Sequence, residues 1–569
     1  MKVQIRDKSM SNKNPNEFFS TPTYSNWVEL AETTLKGKSV DDLSRINEDG
    51  ININALYSSS KHSLALSDDL SSKAAGRWVI AQYLEPNETP QSLNAAILDE
   101  LKGGAEQVIF PRSQNPKIVS ESMNDVMADA IKISFEYPQN VSEAFDQIIK
   151  IWEEQNTMPE LSRGSVGAEV TPETSVSLCK FIAQHKDILH IYPHLRVVKI
   201  SGSNANRGGA TDAQEIAVIL SSFVMLLRDA KDTELSFAEI LNSLEFDFAV
   251  EADLYAGIAK ARALRSLIDR VINVMGCSCQ DLAPRLHGIT SDRMLSVIDS
   301  ETNMLRSGTA MLSMALSGIG VITNRPHDWL SGSSPLSRRI ARNAHHLLAD
   351  EAQLTQVADP AQGSYFIDTL TTDIADKSWK LFQDIERVGG MKSATDLIHT
   401  WFEDAHADRA HQIENGIDAL LGVSIHPVSN TDGMPKIIEE NRGASLIMRG
   451  GSRRPAAAWE NLIREFKKKK AKCLLLDLST NNSAKSTKRW VDIFGFESAS
   501  MNVDDANAGV ELINTAKPDL VVLGEGLVVS ENEISNEITP IVKSSTDFSN
   551  NIIDEMSSIL KLLEKRLMS

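Results

Sequence analysis

Short apolar runs alternate with amphipathic helical segments from Gly76 onward, and this rhythm constrains the fold more than any other feature. Eight of the runs have the length and β-branched content of buried strands, and helical periods lie between several of them. Such alternation is typical of parallel strands covered by helices, so eight strands predict a closed (β/α)8 barrel of the TIM type. The predicted strands are 77–84, 106–110, 131–135, 164–168 (the weakest), 197–201, 246–250, 283–289 and 319–323, with helices at 212–228, 252–267 and 294–316.

A second α/β pattern follows the barrel, after long helical patterns and a turn-rich segment at 430–433. Its strands are predicted at 444–448, 472–478, 498–503 and 519–523, with helices at 456–469, 504–515 and 552–567. This order indicates an open, doubly wound sheet of the flavodoxin type. The chain is therefore divided into a flexible tail (1–22), an N-terminal arm (23–56), a TIM barrel (57–371), a helical linker region (372–440) and a flavodoxin-like domain (441–569).

The charge balance argues against two classes of partner. Lys and Arg number 58 against 77 Asp and Glu, and the net charge of −19 repels nucleic acid and anionic membrane surfaces. The longest apolar stretches are too short to span a bilayer, and residues 1–20 fit neither a signal nor a transit peptide. Four cysteines, Cys179, Cys277, Cys279 and Cys473, are too few for a disulfide framework and read as reduced thiols. We expect a cytoplasmic protein.

A glycine-rich segment gives the most specific signal. Residues 197–211 read V-V-K-I-S-G-S-N-A-N-R-G-G-A-T, a strand that runs into a glycine-rich loop and then a helix, which in a barrel places the loop at the catalytic face. The segment resembles the loop I-S-G-Y-H-M-Q-E-A-G-A-T of the cobalamin-dependent methylmalonyl-CoA mutase family. Further matched segments follow in order through most of residues 37–371, including 285–291, 340–343 and 363–365. The resemblance implies a barrel that encloses an acyl-CoA and a C-terminal domain that holds cobalamin.

The C-terminal domain departs from the family pattern at the cobalt ligand. Catalytic members carry D-x-H-x-x-G, in which the histidine ligates cobalt and the aspartate orients it. Neither candidate loop of this chain, 449–454 or 478–483, contains a histidine, and His426 is the last histidine of the sequence. The comparison with the family therefore predicts a cobalamin-domain homologue without cofactor-binding residues and without a metal ligand.

The barrel departs from the family at its substrate contacts. Asn204 stands where the family has a histidine that hydrogen-bonds the thioester carbonyl, and an amide cannot carry charge or share a proton as imidazole does. Gly76 and Ala81 replace two family arginines, although the neighbouring Arg77 would restore one charge if it pointed differently. We therefore expect no catalytic residues, and interpret the remaining family positions as degenerate packing residues. These positions are Tyr83, Asn204, Arg285 and His287.

The resemblance predicts a small (beta, non-catalytic) subunit of a heterodimeric methylmalonyl-CoA mutase. Its partner would be a homologous large catalytic subunit, which binds adenosylcobalamin and interconverts methylmalonyl-CoA and succinyl-CoA. The arm at 23–56 would contact that partner, and this chain would stabilise it without binding a cofactor itself. Two alternatives stay open: an active acyl-CoA mutase with altered cofactor binding, or a regulatory module that binds an acyl-CoA or a nucleotide.

Overall fold

The computed structural model describes most of the chain between residues 23 and 561. The described residues are 23–59, 76–276, 285–414, 417–426, 428, 434–438, 453–478, 488, 491–524, 526–529, 541–543, 554 and 556–561. Several predictions lie outside them: the tail at 1–22, Cys277 and Cys279, the turn at 430–433, the strand at 444–448 and most of the helix at 552–567.

The N-terminal arm begins with a helix that has no buried residue. This helix, α1 (Tyr24–Thr34), starts in a capping box formed by Thr23 and Asn26. A single 3-10 turn, Val40–Leu43, and a short antiparallel pair, β1 (Arg45–Ile46) and β2 (Asn52–Ile53), complete the arm. The arm is attached to the barrel through Asp49, whose carboxylate accepts the backbone N–H of Ala213 at 3.0 Å.

Eight parallel strands close into the predicted barrel. Each strand pairs with the next along the chain, and the last pairs with the first, so the barrel has no free edge. All eight predicted strands are confirmed, with boundaries shifted by no more than a few residues. They are β3 (Val79–Tyr83), β4 (Gln107–Phe110), β5 (Lys132–Phe135), β6 (Arg163–Glu169), β7 (Leu195–Ser201), β8 (Leu244–Val250), β9 (Arg285–Thr290) and β10 (Val321–Thr323).

The strand with the weakest sequence signal, β6, is seven residues long and contains two glycines. A Cβ on Gly164 would stand 2.6 Å from the carbonyl oxygen of Ile133. Gly167 has a φ of +67°, and a Cβ there would lie 2.0 Å from the carbonyl oxygen of Phe135. The pairing register also shifts between Ser165 and Ala168, as at a β-bulge. The residues that weaken the strand pattern are thus required by close backbone approach.

Helices surround the barrel and continue beyond it. The helix predicted at 294–316 begins only at Asn303, because residues 291–302 form a loop over the carboxyl end of the barrel. The helices are α2 (Pro90–Lys102), α3 (Pro116–Glu121), α4 (Val141–Glu154), α5 (Ser175–Gln184), α6 (Lys186–Ile191), α7 (Gly202–Arg207), α8 (Asp212–Asp229), α9 (Phe237–Asn242), α10 (Leu254–Val274), α11 (Asn303–Leu316), α12 (Pro335–His346), α13 (Tyr365–Arg387) and α14 (Thr395–Glu414).

A second, smaller parallel sheet forms the C-terminal α/β unit. Its described strands are β11 (Lys472–Leu478), β12 (Glu497–Val503), β13 (Leu520–Leu523) and β14 (Ile541–Lys543), in the order β12-β11-β13-β14. Its described helices are α15 (Ala457–Lys469), α16 (Ala506–Ala516) and the segment 556–561.

The residues of β11 alternate between two apolar cores, as expected of a sheet covered on both faces. Cys473 and Leu475 pack with α15, and Leu474 and Leu476 pack with residues of α16. This arrangement and the strand order confirm the predicted doubly wound unit. The strand β14 was not predicted from the sequence. Among the residues that the structure describes, no helix combines the length and apolar character needed to cross a membrane.

Candidate functional site

The carboxyl end of a TIM barrel is where catalytic side chains ordinarily converge, and Tyr83 lies at this end. Tyr83 ends β3 and is buried, and its hydroxyl donates a 2.6 Å hydrogen bond to Glu136. Its ring packs against Trp329, and the guanidinium of Arg325 lies 5.8 Å from the ring centroid. Burial and the Glu136 carboxylate raise the pKa of Tyr83 well above its ordinary value. The tyrosine is therefore a neutral, fully engaged donor.

A second buried cluster reaches across the barrel. The hydroxyl of Tyr137, which follows β5, lies 2.7 Å from Oγ of Ser201 and 3.2 Å from Oδ2 of Asp247 on β8. Ser201 donates to Asp247 at 2.9 Å, and the backbone N–H of Ser203 donates to the same carboxylate at 3.0 Å. β5 and β8 are three strands apart in the closed barrel, so these side chains bridge its lumen.

The lower part of the lumen holds buried charges, in a pair on two neighbouring strands and in a contact across the barrel. Lys199 on β7 and Glu245 on β8 form an ion pair at 3.1 Å, with both side chains 2% exposed. Burial alone would raise the pKa of Glu245, but the charges of Lys199 and Arg285 outweigh it and lower the pKa to about 2. Arg285 donates a 3.4 Å hydrogen bond across the barrel to Gln107 on β4. The interior is thus linked by this chain's own polar side chains.

His287 occupies the middle of β9 and faces the same interior. A ring nitrogen of His287 lies 2.8 Å from Oγ1 of Thr323. Burial, together with the charge of Lys199, lowers the pKa of His287 to about 3. The imidazole is therefore neutral at physiological pH, and the hydroxyl of Thr323 orients it.

Asn204 lies at the carboxyl end but faces another side chain of the same chain. Its amide donates a 2.7 Å hydrogen bond to Glu169 at the end of β6. The prediction that the glycine-rich segment is a loop is wrong in part, because residues 202–207 form the short helix α7. The Ser201 side chain caps this helix by accepting the N–H of Asn204, a local bond that the loop prediction did not include.

The two glycines that follow α7 pack closely against other residues of the chain, and not against an open site. A Cβ on Gly208 would lie 3.1 Å from the ring of Phe402 on α14. Gly209 has a φ of +111°, and a Cβ there would lie 2.7 Å from the carbonyl oxygen of Phe402 and 3.2 Å from Arg453. The close approach that glycine allows is therefore used for packing against α14 and the segment that leads into the second unit.

The structure does not bring the four predicted positions into one site. Tyr83 and Asn204 lie at the carboxyl end, His287 lies deeper, and Arg285 lies at the amino end of β9. Arg77 points away from the lumen, where it pairs with Asp350 at 3.0 Å and does not restore the missing charge. The roles of the four positions stay predictions.

Sequence reasoning missed the residues that link the lumen, among them Glu136, Tyr137, Lys199 and Asp247. A usable signal was present on β8, where Glu245 and Asp247 alternate with phenylalanines at 246 and 248. A period of two in a buried strand places one set of side chains on the inner face. The pattern predicts which residues point inward, although not which partners they meet.

The second unit does not fit a corrin cofactor that needs an imidazole below cobalt. No histidine follows His426 in the sequence, so the donor set lacks that ligand wherever the loops lie. Arg453 and Arg454, from the candidate loop at 449–454, contact the barrel: Arg453 donates its N–H to the carbonyl of Arg207, and Arg454 to that of Leu295. Across the described part of the chain, no group of three His, Cys, Asp or Glu side chains is arranged to hold a metal ion.

Comparisons with known proteins agree with the family that the sequence motifs resemble. A family model described as methylmalonyl-CoA mutase matches residues 167–487. The chain is 27% identical over 440 residues to the methylmalonyl-CoA mutase small subunit of Streptomyces virginiae, which covers 72% of this chain and 71% of that one. It is 26% identical to the small subunit of Porphyromonas gingivalis (70% and 69% covered) and 26% identical to the methylmalonyl-CoA mutase of Cereibacter sphaeroides (71% and 64% covered).

Proposed function

The chain belongs to the methylmalonyl-CoA mutase family, and we propose that it is the non-catalytic small subunit of a heterodimeric mutase. The predicted resemblance to small subunits of this isomerase family is confirmed. In the proposed heterodimer, a homologous large subunit binds adenosylcobalamin and carries out the interconversion of methylmalonyl-CoA and succinyl-CoA. The present chain stabilises that subunit and binds no cofactor.

One observation carries the proposal: the lumen of the barrel is occupied by bonds between the chain's own side chains. An acyl-CoA threaded through the barrel, as the resemblance implies for catalytic members, would have to displace the Tyr137–Asp247 and Arg285–Gln107 contacts. It would also have to pass the buried ion pair of Lys199 and Glu245, which lie side by side on the adjacent strands β7 and β8. Each buried group that loses its hydrogen-bond partner costs about 1–3 kcal/mol, which a ligand would have to offset from its binding energy.

The family positions that touch substrate also have internal partners. Tyr83 donates to Glu136, and Asn204 donates to Glu169. A side chain that is already hydrogen-bonded in a buried site contributes little to ligand binding unless its partner is released. Together with the missing imidazole in the second unit, this supports a barrel retained for its shape.

The arm supports a role in assembly. None of the 11 residues of α1 is buried, yet the helix carries Tyr24, Trp27, Val28 and Leu30. Leu30 is 68% exposed and Ile46 in β1 is 72% exposed. Isolated helices of this length are marginal in water, and helix stability in proteins comes mainly from packing of an apolar face. A partner subunit that covers the arm would supply that packing.

The test uses the full chain, alone and together with its large homologue. Spectral titration of the chain alone with adenosylcobalamin should show no stoichiometric binding. The two chains should co-purify, and mutase activity should require the large chain. Tight cobalamin binding by the isolated chain, mutase activity of the chain alone, or a stable homodimer that does not exchange with the large chain would refute the proposal.

A second candidate, an anion- or acyl-CoA-binding module, is favoured by one observation. Four basic residues lie at or next to the amino ends of barrel strands: Lys132, Arg163, Arg196 and Arg285. Burial and the charges of Arg285 and Arg163 lower the pKa of Lys132 to about 7, so the site is short of negative charge. An anion bound there would raise this pKa. Calorimetric titration with coenzyme A would support this candidate if it showed saturable binding that the Arg196→Ala variant loses.

A further inference from the structure

The segment that enters the second unit is bonded directly to the carboxyl end of the barrel. Arg454 and Glu460, at the start of α15, form a bidentate ion pair with N···O distances of 2.9 and 2.7 Å. The Glu460 side chain has no exposed area, and that of Arg454 is 4% exposed. A charge pair this deeply buried must have its remaining hydrogen-bonding capacity satisfied locally.

The barrel supplies that satisfaction from the loop at 291–302. Oε1 of Glu460 accepts the backbone N–H of Val297 at 3.0 Å and the hydroxyl of Ser296 at 3.3 Å. Arg454 in turn donates to the carbonyl oxygen of Leu295 at 3.2 Å. Three consecutive residues of the barrel loop therefore bind the ion pair of the second unit.

The barrel loop is itself braced, so it can act as a fixed support. The side chain of Asn303 accepts the N–H of Ser296 at 3.1 Å and donates to the carbonyl of Ser296 at 2.8 Å. The same amide donates to the carbonyl of His327 at 2.9 Å. This bracing is also the reason why α11 begins at Asn303 and not earlier in the chain.

Apolar packing follows the polar contacts. Ile298 of the loop belongs to the same buried cluster as Trp459, Ile463 and Phe494 of the second unit. Separation of the two units would expose this cluster to water in addition to breaking the three hydrogen bonds. The contact is thus continuous from the ion pair to the apolar core beneath the second sheet.

We propose that the Arg454–Glu460 pair is an interdomain latch, which seats the second α/β unit directly on the barrel loop 295–298 and couples the two parts. The latch makes the barrel and the second sheet unfold together and keeps the carboxyl end of the barrel covered.

The test is hydrogen exchange and calorimetry on the full chain with Glu460→Gln. The substitution keeps the shape but removes the charge, and it turns one oxygen that accepts from Arg454 into an amide donor. Exchange in peptides that cover 295–298 should accelerate by about 10-fold to 100-fold, while exchange in β7 stays unchanged. The single calorimetric transition of the parent chain should separate into two.

The matched control is Glu465→Gln, the same change on the same helix at a partly exposed residue that pairs with Lys468. It should leave both measurements unchanged. If Glu460→Gln yields no folded protein, Arg454→Lys serves instead, because it keeps the charge but loses the bidentate geometry and should change both in the same direction. Unchanged exchange at 295–298 in either latch variant, or two separate transitions in the parent chain, would overturn the proposal.

Discussion

The ion pair of Lys199 and Glu245 inside the barrel offers the sharpest test of a lumen held by its own side chains. Lys199→Met removes the ammonium but fills most of its volume, and it leaves Glu245 buried without the charge that contributes most to its low pKa. Removing one partner of a buried pair costs about 3–5 kcal/mol. Because each 1.4 kcal/mol is a factor of ten, exchange of the amides in β7 and β8 should accelerate by about 140-fold to 3,700-fold.

Two controls isolate the buried pair. Lys186→Met removes a lysine whose ion pair with Glu234 spans 3.9 Å and has 40% and 95% exposed side chains. Exposed pairs contribute about 1 kcal/mol at most, so exchange in the barrel should barely change. The double variant Lys199→Met with Glu245→Met should recover most of the lost protection, since no unpaired charge then stays buried.

The change in stability caused by Lys199→Met should depend on pH, and the pKa of Glu245 gives the direction of that dependence. In the parent chain the pKa of Glu245 is about 2 against an ordinary 4.5, so its stabilisation is present above pH 4.5 and is lost as the pH falls toward 2. In Lys199→Met the loss of the main counter-charge lets burial raise this pKa. The variant then gains stability on protonation, and its deficit should be largest near neutral pH and shrink on acidification. A deficit equal to that of Lys186→Met, or one that grows toward pH 5, would refute the reasoning.

Three further predictions concern other parts of the chain. Gly209→Ala should lower the free energy of unfolding by about 1–3 kcal/mol, because φ is +111° and a Cβ would meet the backbone of Phe402. Gly308→Ala should raise it by about 0.5–1 kcal/mol, because Gly308 lies within α11 and a Cβ there meets no other atom within 4 Å. Thermal unfolding of the two variants measures both effects. Tyr83→Phe should destabilise the chain by about 1–3 kcal/mol by leaving Glu136 without its donor, and should leave the activity of the reconstituted mutase unchanged. Deletion of 23–34 should weaken association with the large chain by about tenfold or more, measured by biolayer interferometry, while circular dichroism shows that the rest of the chain is still folded.

The barrel was predictable because its strands are marked by local properties. Apolar runs of the right length and the helical periods between them located all eight strands, including β6, whose glycines weaken the pattern. The absence of histidine after His426 needs no structure, since no folding of the second unit can supply a residue type that it lacks. The resemblance to the mutase family rests on matched segments in order, and the small-subunit prediction rests on the family residues that this chain lacks; both are properties of the sequence.

The content of the lumen depended on the tertiary structure. Alternation along β8 marks Asp247 as inward-facing, but its partner Tyr137 is 110 residues away and three strands around the barrel. That contact depends on strand register and barrel closure, which local sequence does not encode. The same holds for Asn303, whose bonds to Ser296 hold the preceding residues in a loop, so that the helix begins later than predicted. Sequence periodicity therefore determined which residues are buried, and the closed geometry decided which of them meet.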